Sequence, residues 1–232
     1  MFAGLLLACG GLGDRYGRKL VMQIGMVLFG LFSVWAAFTN TTGELITARA
    51  LMGVGAALVF PGTLAILIDV FRDPIERAKA IGVWSAVSGA AVAFGPVTGG
   101  FLLEHFWWGS VFLVNVPIVI VALALQAAFV PESKDPNVGR LDFPGFLLSI
   151  AFVSLLVYTI IEGPHRGWGD SLTIAGFVGT GVLVGLFIMR ERANEHPLLD
   201  VRVFRDMRVT AATSSIFIAF FSLFGFTFLV TQ

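Results

Sequence analysis

The sequence is short of charge, of cysteine and of histidine, and each shortage closes off a class of function. Only 13% of its 232 residues are charged, roughly half the share of a soluble domain, while 57% are hydrophobic. A water-soluble fold cannot cover its surface with so few polar groups, so lipid is the expected solvent. The 15 basic and 15 acidic residues cancel. No basic stripe stands on a soluble surface, which leaves nucleic-acid binding unsupported. Cys9 is the sole cysteine, so no intramolecular disulfide can form. Leu6-Leu7-Ala8-Cys9 has the faint look of a lipoprotein cleavage site, but the apolar stretch is short and lacks a positive flank. His105, His165 and His196 read as loop residues, too scattered for a metal site. There is no phosphate-cradling loop of the ATP-binding type and no nucleophile–base or metal constellation. Neither ATP hydrolysis nor enzymatic catalysis is expected, and no cofactor.

What is present is a series of long apolar runs. A bilayer core of about 30 Å takes about 20 residues of helix. Leu20–Phe38, Ala80–Leu103, Ser110–Val130, Phe143–Ile161, Ser171–Met189 and Val209–Thr231 carry no charge, and Leu45–Ile68 carries Arg49 alone. These seven runs predict seven membrane-spanning helices, because in lipid each backbone must satisfy its own hydrogen bonds. A β-barrel would alternate polar and apolar residues, and these runs do not. Met1–Leu12 is too short to cross and reads as the end of an eighth. The fold class is therefore all-α and polytopic. Apart from Arg49 and Arg166, every one of the 15 basic residues lies in alternate connections, around Asp14–Lys19, Asp69–Lys79, Lys134–Arg140 and Arg190–Arg208. The positive-inside bias makes that side cytoplasmic. The last connection is the longest, and Pro197–Phe204 within it reads as amphipathic. Met1 falls inside a hydrophobic run and Gln232 closes a span, so the expectation is a piece of a longer protein that does not transport alone.

Three motifs stand out. Gly10-Gly11-Leu12-Gly13-Asp14-Arg15-Tyr16-Gly17-Arg18-Lys19 reads as a short cytoplasmic loop. Its glycines permit a tight turn, Asp14 is placed to cap the following helix, and Arg15 and Arg18 are within reach of Asp69. A plain basic loop with turn glycines is the bland alternative, but the ordered pattern is more specific than that requires. Next, Arg49 lies within a span, where a charge costs at least about 2.5 kcal/mol and marks a functional site by default. Gly53 and Ala56 or Ala57 share its face and invite a neighbouring helix. Snorkelling of Arg49 toward the outer interface is the competing account. Third, Gly89 and Gly95-Pro96-Val97-Thr98-Gly99-Gly100 lie inside one span, where proline kinks the helix and glycines leave a flat face; ordinary small-residue contact would look similar.

Together and in this order, the three resemble the signature motifs of the major facilitator superfamily: its loop between helices two and three, its helix-four motif, and the helix-five motif of antiporters. Trp107-Trp108-Gly109-Ser110-Val111-Phe112-Leu113-Val114-Asn115-Val116-Pro117 resembles the start of helix six in the fourteen-helix drug:proton antiporters, with Trp108 where an arginine is usual. Leu141-Asp142-Phe143-Pro144-Gly145, Glu162-Gly163, Gly167-Trp168-Gly169 and His196-Pro197-Leu198-Leu199-Asp200 resemble that subgroup as well. The resemblance covers the whole chain and implies a stretch from late helix two to helix nine of fourteen. It implies an N-terminal bundle at 1–130, a central helix pair at 131–190, and a linker with the first C-terminal helix at 191–232. Gly10, Asp14, Gly17, Arg18 and Asp69 would form a cytoplasmic conformational latch. Arg49 would tune a proton-carrying carboxylate. Gly95, Pro96, Gly99 and Gly100 would seal helix five against its counterpart. No Asp or Glu sits deep in these spans, so the resemblance leaves proton coupling incomplete.

The implied function is proton-driven efflux of small amphipathic compounds from a bacterial plasma membrane, with the proton gradient as energy source and lipid, substrate and protons as partners. A nutrient facilitator or symporter is the second reading; the helix-five motif and the extra central helices speak against it. A non-transporting receptor or scaffold is the third, and a buried arginine has little use there. Phenylalanine is abundant, with 23 residues. Phe217, Phe221, Phe224 and Phe228 share one helical face that could line an apolar drug cavity or face lipid. Trp107, Trp108 and Trp168 near span ends suit an interfacial belt. The oligomeric state is open.

Overall fold

The computed structural model describes residues 2–134, 142–194, 199 and 201–230. Arg140, Leu141, His196, Pro197, Leu198 and Asp200, named above, lie outside these, as does the side chain of Phe228. The described residues are helical, without strands. In chain order they form α1 (Phe2–Tyr16), α2 (Arg18–Ala37), α3 (Thr42–Val70), α4 (Pro74–His105), α5 (Ser110–Leu113), α6 (Asn115–Phe129), α7 (Phe143–Arg166), α8 (Ser171–Ala193), a 3₁₀ turn (Val201–Arg205) and α9 (Met207–Val230). Seven stretches among them are long and apolar enough to cross a membrane: α2, α3, α4, α5 with α6, α7, α8 and residues 207–226 of α9. They coincide with the seven apolar runs. α5 and α6 part at Val114 because Pro117 has no N–H to give, and its ring crowds the carbonyl of Leu113 four residues back.

α2 is the centre of the best-packed region. On one side it crosses α3 at Gly25 and Gly55. A Cβ on Gly25 would sit 2.7 Å from the Gly55 carbonyl oxygen, and one on Gly55 2.8 Å from that of Gly25. The two backbones therefore touch, as small residues permit in a membrane. Ala48, Met52, Gly55, Ala57, Gly62 and Ile66 are the buried positions along α3, so of the residues expected on the Arg49 face Ala57 is buried. The close approach thus uses Gly55, one step round the helix from Arg49, Gly53 and Ala56. On its other side α2 meets α6: Met22, Met26 and Ile66 pack with Val119, Ala122 and Leu123. Ser33, fully buried in α2, accepts a hydrogen bond from the Asn115 amide (3.3 Å).

α7 and α8 form a hairpin, closed by Phe152 on Phe187 and by Gly176 fitting beneath Thr159. α7 also packs against α1. α4 and α9 differ from all of these. No residue of α4 is buried, and among the described residues α9 meets only the 3₁₀ turn before it.

Two expectations need correction. The glycine-rich segment is not a loop: α1 runs through Gly10–Tyr16, and the turn is Gly17 alone. His105 and His165 lie in the last turns of α4 and α7, with His105 stacked on Phe101. Of the segment read as amphipathic, Pro197–Phe204, the described part includes the start of a 3₁₀ turn over Val201–Arg205.

Candidate functional site

The corner between α1 and α2 is the chemically richest place in the described structure. Gly17 has φ +111°, a conformation open to glycine and strained for any residue with a Cβ. It occupies the N-cap position of α2 yet has no side chain to cap with. The first N–H groups of a helix lack intrahelical partners. Here they find them far along the chain. The Arg18 N–H donates to the Ser133 carbonyl (2.7 Å), and the Lys19 N–H donates to Glu132 Oε1 (3.1 Å). The Glu132 carboxylate also suits the positive end of the helix dipole.

The side chains continue the same network. Arg18 Nε donates to Asp14 Oδ1 at 2.8 Å, across the one-residue corner. Arg18 Nη1 donates to Ser133 Oγ (3.0 Å), and Ser133 Oγ donates to Asp69 Oδ2 (2.7 Å). Ser133 is buried while Asp69 is exposed. The latch residues Asp14, Arg18 and Asp69 are thus brought together, but Arg18 reaches Asp69 through a serine hydroxyl. Asp14 does not cap α2 as expected. It lies within α1, and the cap positions are taken by the segment after α6. Arg15 turns away over the Tyr16 ring. Gly10 faces Pro61 of α3, where an added Cβ would lie 3.8 Å from the Pro61 Cβ, at ordinary contact distance. Arg18 stands between two cavities. One, of about 230 Å³, lies among α1, α2 and α3 beside Gly10, Gly13 and Asp14. The other, of about 480 Å³, opens by Asp69, Arg72 and Arg77.

Arg49 sits seven residues into α3, about 10 Å along the helix axis. Its guanidinium lies over the Phe112 ring, 5.8 Å from the centroid, and Trp108 meets the same ring edge-on. Among the described residues it forms no ion pair, and it is exposed. A cation held on an aromatic face near a bundle edge is available to a carboxylate brought against it.

The α4 motif and the α9 phenylalanines are not brought to this site. A Cβ on Gly95, Gly99 or Gly100 would meet nothing within 4 Å, so the flat face beside Pro96 stands open. Phe217 stacks on Phe221 and Phe220 on Phe224. Phe217, Phe221 and Phe224 are exposed and line no enclosed cavity among the described residues.

A second polar cluster lies at the same end of the molecule. Asp142 caps α7 through the Gly145 N–H (3.1 Å). It also receives Arg190 of α8 through Nε and Nη2 (3.0 and 2.7 Å) and the Asn194 amide (2.8 Å). Burial alone would raise the Asp142 pKa, but these donors outweigh it and hold the carboxyl below its usual value. Next to Arg190, Glu191 accepts from the Leu199 N–H (2.8 Å).

Ser133, Glu132, Asn115 and Arg190 escaped the sequence reading as site residues. Glu132-Ser133 looked like ordinary linker. The available signal was position alone: both follow a span that ends on the side where Arg18 and Lys19 begin one.

A family model described as Major Facilitator Superfamily matches residues 1–232. Over 236 residues the chain is 40% identical to the methyl viologen resistance protein SmvA of Salmonella typhimurium, covering 100% of this chain and 47% of that protein. It is 39% identical over 232 residues to the multidrug efflux pump LfrA of Mycolicibacterium smegmatis, covering 100% and 46%. It is 36% identical over 230 residues to the multidrug resistance protein Stp of Mycobacterium tuberculosis, covering 99% and 43%. The chain spans about half the length of the curated relatives it matches.

Proposed function

The chain belongs to the Major Facilitator Superfamily, and from that premise we propose that it forms part of a proton-coupled antiporter that expels small amphipathic drugs or toxic compounds. Its seven apolar spans and bacterial relatives make it a multi-pass protein of a bacterial cell membrane. The observation that carries the efflux reading is the chain-long similarity to proteins named for drug efflux and drug resistance.

The residues fit such a cycle as follows. Alternating access needs two conformations of similar energy and contacts that exist in only one of them. The Asp14–Arg18–Ser133–Asp69 chain is a contact of that kind, made of hydrogen bonds at a half-exposed corner. Arg49 supplies a positive charge within the membrane. A carboxylate approaching it from another helix would be favoured as the anion and would release its proton; once moved away it would take one up. The open glycine face of α4 is the surface that would seal against a further helix and prevent leak.

The test is efflux of a fluorescent cationic dye by the full-length protein, with and without a protonophore. Arg49→Ala should lower protonophore-sensitive efflux by at least about tenfold, as expected when a membrane-buried charge is removed from a proton site. Arg49→Lys should retain more of it. Unchanged efflux in Arg49→Ala would remove the coupling role, and dye retention unaffected by the protein would remove the efflux reading itself.

A further inference from the structure

We propose that Glu132 and Ser133 are positioning residues of the latch, and that the connection after α6 must undock from the α1–α2 corner before the latch can open. This rests on the latch reading and adds a moving part to it. Gly17 leaves the N-terminus of α2 without a cap of its own, and the connection supplies one. The Ser133 carbonyl takes the Arg18 N–H and the Glu132 carboxylate takes the Lys19 N–H. Gln126 and the Ala127 carbonyl, in the last turn of α6, bond the main chain and ammonium of Lys19. Gly17 fits so closely that a Cβ there would lie 2.7 Å from Glu132 Oε1.

The Ser133 hydroxyl has one proton to give and lone pairs to receive. It gives the proton to Asp69 and receives from Arg18. Arg18 and Asp69, on α2 and α3, are therefore joined only while the connection is seated between them.

Two measurements on the full-length protein in lipid nanodiscs test this. Hydrogen exchange reads the docking directly. Glu132→Ala should speed exchange of the Lys19 amide about tenfold, the loss of one charge-assisted hydrogen bond, and leave the middle of α2 unchanged. Spin-label distances across the cytoplasmic face read the latch. Ser133→Ala should shift the closed-to-open ratio about fivefold toward open. Ser133→Thr, which keeps the hydroxyl, should stay within about twofold. Ser133→Ala added to Asp69→Asn should shift it no further. If Asp69→Asn shifts the ratio and Ser133→Ala does not, the relay is wrong while the latch stands. Additive shifts, or an unchanged Lys19 exchange rate in Glu132→Ala, would overturn it too. If Asp69→Asn itself leaves the ratio unchanged, the latch falls and the proposal with it.

Discussion

The two polar clusters, at the α1–α2 corner and at the start of α7, use the same groups, aspartate and arginine, in opposite settings. At the central hairpin, the Asp142 side chain is 1% exposed and receives Arg190 directly, with Asn194 and the Gly145 N–H on its remaining lone pairs. At the α1–α2 corner, Asp14 is 38% exposed and takes a single Arg18 N–H. Asp69 is exposed and takes only a hydroxyl. A buried carboxylate cannot lose its partners without being left unpaired in a poor solvent. An exposed one exchanges them for water at little cost. The difference supports the proposal that the hairpin cluster is a fastening and the corner cluster a contact that is made and broken.

The contrast is broken most severely at the fastening. Asp142→Ala removes the α7 cap on the Gly145 N–H and the carboxylate that Arg190 and Asn194 bond. It should destabilise the hairpin by about 2–3 kcal/mol, a figure reduced for the half-exposed guanidinium. Thermal unfolding in detergent, or protease sensitivity near the 142 and 194 ends, measures it. Acid should do the same by titration. The folded-state pKa of Asp142 is depressed, so its stabilisation is complete above the usual carboxylate range near about 4. It is lost as pH falls below that range through the lowered folded value. Asp142→Ala should abolish that acid-dependent component. If the mutant and wild type lose stability in parallel on acidification, Asp142 is not the fastening.

A smaller effect is expected from forcing the corner. Gly17→Ala places a Cβ at φ +111° and drives the Glu132 carboxylate from its seat. Backbone strain of this kind costs about 1–2 kcal/mol; the Glu132 side chain can swing aside cheaply. The difference between clusters predicts that the cost appears as faster hydrogen exchange in the first turn of α2, with α7 and α8 unaffected. Faster exchange spreading into the hairpin would mean that the two clusters are one unit.

Both clusters were visible in the sequence to different degrees. The spans were legible because twenty apolar residues without charge have one stable backbone form in lipid. Their ends were less so, since α1 holds seven consecutive motif residues, Gly10–Tyr16, in helix where composition suggested a loop. A glycine-rich stretch is permissive rather than instructive, and here it lies in a helix that packs against α3. Asp14 and Arg18 could be singled out from their motif, and Asp69 from its place at the end of another span. Ser133 could not, because serine and glutamate in a linker carry no periodicity, and their role depends on a fold that returns them to a residue 115 positions earlier. Asp142 stood in a quoted motif, but its partner Arg190 was counted only as part of a positive loop. Charge tallies give the side of the membrane and are blind to pairing. The open faces of α4 and α9 show the reverse: their motifs are conspicuous and their neighbours are not among the described residues.

The smallest stability effect is expected at Asp14, and it sharpens the comparison most. Asp14→Asn keeps the shape and removes one half-exposed ion pair, worth only a few tenths of a kcal/mol in most settings. Thermal stability should therefore stay near that of the wild type, unlike Asp142→Ala. The corner is different in that its energy is set against an alternative conformation rather than against unfolding. A few tenths to 1 kcal/mol is enough to shift a balanced two-state equilibrium about two- to fivefold. Asp14→Asn should thus move the closed-to-open distance ratio, and the steady-state dye efflux of the full-length protein with it, while leaving its melting temperature alone. An unmoved ratio, or a melting temperature that falls as far as in Asp142→Ala, would make the corner a second fastening and erase the distinction between the two clusters.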